Sequence, residues 1–430
     1  MIKRNLLIAA AAMALATGAS AQDFAITNAT VAIGDGGAPI ENATVVVRGG
    51  QVVSAGAGVS TPSDIPVFDG TGSWVTPGLF MPLTNLGLWD VGAVSNSNDI
   101  GASDARFDAS LDASTAVNYA SQHIAVSRGG GVTRATITLS PSDSIFAGQG
   151  AAIDLGADPN AVMKAKAFQL VVLGERGARI AGGSRTAAFA EFANALREAK
   201  EIANGVRVPE DSMLSRTDAE ALVPVLNGEQ QLYVHAERAS DISAVIGLKD
   251  KYPSLKLVLV GASEGWIVAK QIAASGIPVI TNPLTDLPES FEKLGSTQSN
   301  VGRMVDAGVK VAIGGLSGGI TAPRNAPQFA GNLVALNKVP RASGLSWGEA
   351  FASITSVPAE ISGFGGRLGV LAPGAVGDVV IWDGDPLEVS TAPVRVFIDG
   401  IEQPLTSHQT RLRERYRDLD ESDLPKAYDW

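Results

Sequence analysis

Cysteine is absent from the 430 residues. Its absence excludes structural disulfides, thiolate metal sites, iron–sulfur clusters and cysteine nucleophiles. Histidine is nearly as scarce, with His123, His235 and His408 the whole supply. Positive charge is also short: 33 Lys and Arg face 44 Asp and Glu, for a formal net charge of −11. A surface of that sign repels nucleic-acid phosphates and anionic lipid, so no nucleic-acid partner is expected. Beyond the first 15 residues no apolar run is long enough to cross a bilayer. What is plentiful is apolar, 45% hydrophobic residues against 18% charged, and the 48 Gly and 22 Pro follow no collagen-like period. At about 100–200 residues per domain, the length suits two or three domains, or one large α/β barrel with a satellite.

The N-terminus has the form of an export signal. Lys3 and Arg4 precede the apolar run Leu6 to Leu15, and Ala19-Ser20-Ala21 fits the small-x-small cleavage rule. Residues 1–21 are therefore read as a signal peptide and Gln22 as the mature start. Losing Lys3 and Arg4 takes the net charge from −11 by two to −13. The expectation is a soluble exported protein, periplasmic if the source is Gram-negative, with no membrane span after cleavage.

Short strand-like segments fill Phe24 to Phe68, around the glycine turns at Gly34-Asp35-Gly36-Gly37 and Gly49-Gly50. The same style returns at Asp378 to Trp382 and Val394 to Ile398. Two strand-rich ends pair most simply into one small domain, a β-sandwich of residues 22–75 plus 368–405. Between them the pattern alternates. Ser184 caps a helix with Phe189, Phe192, Leu196 and Ala199 on one face. Strands are expected at Gln231 to Val234, Leu255 to Val260, Ile277 to Ile280 and Val309 to Ile313, with helices between them that stop at Gly276 and Gly308. Strands apolar on both faces alternating with helices call for a parallel sheet under helices. About 290 residues, 76–367, suit a (β/α)₈ TIM-like barrel. Residues 406–430, with Arg411, Arg413, Arg415 and Arg417 before Asp418, Asp420 and Glu421, read as a charged C-terminal tail on a solvated helix.

Segments at both ends and in the middle resemble one family. Ser73-Trp74-Val75-Thr76-Pro77-Gly78-Leu79, Ala307-Gly308-Val309-Lys310-Val311-Ala312-Ile313-Gly314, Gly366-Arg367-Leu368-Gly369, Pro373-Gly374 and Gly377 to Trp382 occur in the order found in the amidohydrolase superfamily, and are most similar to its imidazolonepropionase-like branch. The resemblance covers about residues 24 to 405. It implies metal-dependent hydrolysis, mostly of C–N bonds, by one or two divalent ions at the C-terminal mouth of the barrel. It also implies five ligand positions, and here they hold Leu83, Asn85, His235, Gly261 and Leu316. Only His235 keeps a family ligand.

A catalytic zinc usually takes three protein donors and one open position. Leu and Gly supply none, and Asn85 only an amide oxygen. No cofactor is therefore expected, and the resemblance with its losses implies a degenerate homologue, a pseudoenzyme acting as a binding or partner subunit. Its partner would be an intact amidohydrolase homologue or a second copy of itself. The alternative is a hydrolase of carbon–nitrogen bonds, non-peptide or dipeptide-like, working through a rearranged site around His235, Glu237, Ser263 and Glu264, with zinc as the cofactor that reading implies. Gly261-Ala262-Ser263-Glu264-Gly265 fits the G-x-S-x-G turn that exposes a nucleophilic serine, but Gly315-Leu316-Ser317-Gly318-Gly319 fits it equally. Both serines read as small residues at strand-to-helix turns. Phe146 to Ile153 lacks the Gly-Lys-Ser/Thr ending of a phosphate loop and resembles a Gly-Gln stretch lining the barrel mouth in exported relatives. Trp74, Trp266 and Trp382 are expected to pack rather than to cage a ligand.

Overall fold

The computed structural model describes residues 21–92, 94–206, 212–314 and 323–417. The expected signal peptide up to residue 20, Leu316, Ser317 and the end of the charged tail lie outside the described residues.

Sixteen strands in the described residues form two sheets. The first uses both chain ends: β1 Phe24–Val31, β2 Ile40–Arg48, β3 Gln51–Ala57, β4 Val67–Asp69 and β5 Trp74–Pro77. The chain then enters the second sheet through β6 Leu79–Thr84, β7 Val132–Ile137, β8 Phe146–Asp154, β9 Val162–Val172, β10 Gln231–Ala236, β11 Lys256–Gly261, β12 Val279–Thr281 and β13 Val311–Ile313. It returns to the first through β14 Val379–Trp382, β15 Pro393–Ile398 and β16 Ile401–Glu402. The end sheet is ordered β16-β15-β14-β5-β1-β2-β3, with β4 beside β1. It curls enough to stack Phe24 of β1 on Phe397 of β15 at 4.3 Å between ring centroids.

The second sheet runs in chain order from β6 to β13 and is nearly closed into a barrel. Its two ends meet where Gly314 lies against Pro82, so closely that a Cβ at 314 would fall 2.7 Å from the proline ring. Phe168 stacks on Tyr233 at 4.1 Å inside it, and Leu83, Leu170, Val258, Val260, Ile280 and Ala312 fill the same interior. The helices cover the outside. The best marked is Arg185–Ala203, whose Ser184 cap accepts a hydrogen bond from the Thr186 N–H and whose Phe192, Leu196 and Ala199 are buried. Gly276 and Gly308 follow their helices with positive φ, where a side chain would be strained.

One strand departs from the expected eight parallel strands. β8 is antiparallel to both β7 and β9. Residues 138–145 and 155–161 are the only links on either side, too short for the crossover of a dozen or more residues that a parallel pair needs. The Gly-Gln stretch is this strand, and its first residue, Phe146, pairs with Val171 near the C-terminal end of β9. Gln149 is buried and accepts a hydrogen bond from Gln230.

Two contacts seat the end sheet on the barrel. Arg134 of β7, almost fully buried, donates through Nε and Nη2 to the two oxygens of Asp378 at 2.7 and 2.8 Å, and through Nη2 to Asp399 at 2.8 Å. Gly78 carries the chain between the sheets, and its N–H donates to the Asp378 carbonyl at 3.1 Å. A Cβ there would stand 2.1 Å from the Thr133 hydroxyl oxygen. Gly78→Ala is therefore expected to cost about 2 kcal/mol by overpacking. Urea unfolding of the two proteins checks this, and equal midpoints would contradict the close approach.

Candidate functional site at the barrel mouth

Alternation along β10 decides what reaches the barrel mouth. Leu232, Val234 and Ala236 turn outward to the helices and Tyr233 turns into the barrel, so His235 follows Tyr233 on the inner face at the strand's C-terminal end. A cleft of about 290 Å³ opens beside it. β9 and the short helix after it, Glu175–Ile180, supply Val172, Glu175, Arg176 and Arg179. β10 and its exit supply His235 and Glu237. The loop after β12 supplies Glu289, Ser290, Glu292 and Lys293.

Glu237 is the hub. His235 Nε2 stands 3.2 Å from its Oε1, and Lys293 Nζ 3.7 Å from the same oxygen. Its Oε2 accepts from the Ser263 N–H at 2.9 Å and the Ser263 hydroxyl at 2.7 Å. Burial alone would raise this carboxyl. The His235 hydrogen bond and charge, then the Lys293 charge and the Ser263 hydroxyl, outweigh burial and hold it at about 2. Glu237 is thus a permanent anion at neutral pH and a poor base for Ser263. Glu292 goes the other way. Burial pushes its carboxyl up, and the Glu237 and Glu175 charges add to that, against the Glu175 N–H that donates to it at 2.6 Å.

The residues singled out from the sequence fall in different places. His235 and Glu237 line the cleft, and Ser263 is tied to Glu237 from behind. Glu264 is not brought to them: its oxygens accept from the Ala239 N–H at 2.9 Å and the Gly295 N–H at 2.8 Å, so it clamps two loops. Leu83 points into the apolar barrel interior from a left-handed backbone position, φ 55°. The Asn85 amide donates to the Thr138 carbonyl at 2.6 Å. Gly261 has φ 90°, and a Cβ there would lie 2.7 Å from the Glu237 carboxyl carbon, so Glu237 occupies the room a side chain at 261 would use. Among the described residues no three His, Asp or Glu side chains come together to hold a metal ion. The three tryptophans serve as anchors: Trp382 donates to Thr76 at 2.9 Å, Trp266 to the Gly295 carbonyl at 2.7 Å, and Trp74 packs on Trp347.

Arg176, Arg179, Glu292 and Lys293 were missed in the sequence. One signal was there to read: two arginines three apart, directly after a buried strand, in an acid-rich chain.

The Glu237 arrangement has a pH consequence. Its folded pKa of about 2 lies below the ordinary 4.5, so its stabilisation is complete above pH 4.5 and fades as pH falls towards 2. A shift of that size corresponds to about 3 kcal/mol. Glu237→Gln should lack that part of the acid-induced loss in urea unfolding measured from pH 6 to pH 2. Parallel acid limbs in the two proteins would refute the pairing.

Comparison with known proteins agrees with this architecture. Residues 258–400 match the amidohydrolase family. A stretch of 60 residues is 50% identical to the amidohydrolase tasK of Hapsidospora irregularis, and spans 14% of this chain and only 6% of that protein. Among solved structures, an amidohydrolase from Thermotoga maritima is similar with a TM-score of 0.76 and 23% identity, over 88% of this chain and 99% of that one. Molinate hydrolase is similar with a TM-score of 0.56 and 17% identity, over 96% and 99%. Residues 258–400 thus carry sequence similar to the amidohydrolase family, and the chain as a whole shares the fold of these structures.

Proposed function

We propose that this protein is an exported amidohydrolase-family member of the imidazolonepropionase-like branch, whose barrel mouth binds a ligand or partner without the family's metal-dependent hydrolysis. One observation carries the reading: the space beside His235 where position 261 would offer a ligand is filled by Glu237, whose charge is already met by His235, Lys293 and Ser263. Leu83 and Leu316 have no donor atoms, and Asn85 has only a weak amide oxygen to offer, its Nδ2 being bound to the Thr138 carbonyl. This donor set does not fit a catalytic zinc, which takes three protein ligands. A small β-sandwich from both chain ends and a (β/α)₈ ancestry, modified at β8, belong to the same reading.

The partner role draws support from the loop that lines the cleft. On its outer side Leu287, Phe291 and Leu294 are 73%, 83% and 63% exposed, with Ile267 beside them. Large apolar side chains left this bare on one loop are what an interaction site would use. Phe291→Glu is expected to weaken association, with itself or with an intact homologue, at least tenfold in sedimentation experiments. Association that survives the change unaltered would remove this face from the reading.

A hydrolase of carbon–nitrogen bonds working through His235, with or without zinc, is the second reading. Its support is the His235–Glu237 pair, which leaves Nδ1 of the ring without a hydrogen-bond partner, the arrangement of a carboxylate-oriented general base. Metal analysis and thermal unfolding separate the two. On the favoured reading neither zinc nor a chelator moves the melting temperature, and His235→Ala lowers it through a loss of about 1–3 kcal/mol. Stoichiometric zinc, or an upward shift with zinc that His235→Ala abolishes, overturns it.

A further inference from the structure

We propose that the cleft takes a small molecule bearing an oxyanion, a carboxylate or a phosphate, seated on Arg176 and Arg179. This rests on the reading of the barrel mouth as a binding site and names the chemistry of what it binds.

The charges in the cleft are unevenly spent. Lys293 stands between Glu289 at 3.3 Å and Glu237 at 3.7 Å. Arg185, behind the wall, is taken by Asp241 at 2.7 Å and Glu292 at 3.6 Å. Among the cations, Arg176 and Arg179 are left over. They sit three residues apart on the helix Glu175–Ile180, a spacing that puts both on one face. Arg176 donates to the Pro141 carbonyl, and among the described residues neither guanidinium has a carboxylate within ion-pair distance. Burial first, then the neighbouring Arg179 charge, pushes the Arg176 guanidinium down from its ordinary value, which an anion lying between the two would reverse.

Three buried polar atoms on cleft residues also lack a hydrogen-bond partner: Glu175 Oε2, His235 Nδ1 and Ser290 Oγ. His235 is only 9% exposed. Buried polar atoms in native proteins are paired in the large majority, so three on one cleft point to something that fills it. Glu175, Glu289 and Glu292 also line the cleft, with Glu292 held at the start of the arginine-bearing helix by the Glu175 N–H, so the rest of the molecule is neutral or a donor. Guanidinium suits the anionic end because its fork matches carboxylate and phosphate oxygens in pairs. The chain's net charge of −11 does not veto this. At physiological salt, charges beyond about 8 Å are largely screened, and the two nearby guanidiniums decide.

The test uses the mature protein, with calorimetric titration and thermal unfolding in chelator-treated buffer. The probes are inorganic phosphate, glutarate and N-acetylglycine, each against sodium chloride at matched ionic strength. At least one oxyanion should bind saturably and raise the melting temperature. Arg176→Gln should weaken that binding at least tenfold. Arg179→Gln should weaken it as well and, because Arg179 is exposed, should leave unfolding of the free protein unchanged. The phosphate and carboxylate arms tell the two sources apart. No saturable response beyond chloride, or equal binding by the parent and both variants, overturns the proposal. Zinc uptake by the parent would sink the metal-free reading while leaving this arginine dependence to stand or fall by itself.

Discussion

A buried carboxylate must be neutralised, and the barrel mouth is arranged around meeting that demand at Glu237, which is 3% exposed. His235 and Lys293 approach one oxygen, while Ser263 holds the other through its backbone and its hydroxyl. These partners come from the ends of two strands and from a long loop. The same carboxylate therefore ties β10, β11 and the loop after β12 together. It also needs glycine at 261, since any side chain there would meet it. The loss of a donor at that position and the presence of Glu237 are two views of one packing arrangement.

The loop after β12 has two faces with different chemistry. Glu289, Ser290, Glu292 and Lys293 turn to the cleft, while Leu287, Phe291 and Leu294 turn to solvent.

Away from the mouth, the fold depends on joining the chain ends to the barrel. Arg134 reaches from β7 into the turn before β14, and Asp378 and Asp399 share its charge inside the protein. Removing either partner of a buried pair costs far more than an exposed pair contributes. Gly78 makes the same junction possible by sterics, because only the smallest residue passes Thr133. The end sheet is thereby held at the side of the barrel where β6 and β7 begin, opposite the cleft.

Much of this was determined locally and could be read from residues alone. Ser184 starts its helix and Gly276 and Gly308 stop theirs, because caps and positive φ are properties of a few neighbouring residues. That Leu83, Gly261 and Leu316 offer no donor is a matter of residue type. Tertiary structure decided the rest. The direction of β8 follows from which strands its short links let it reach. Glu264 was drawn away to two backbone N–H groups, while Lys293 and Glu292, more than fifty residues along the chain, were brought to Glu237 and its neighbours. Charges in a cleft are neutralised by whatever the register of β9, β10 and β12 places within a few ångströms, and no local pattern of residues contains that distance.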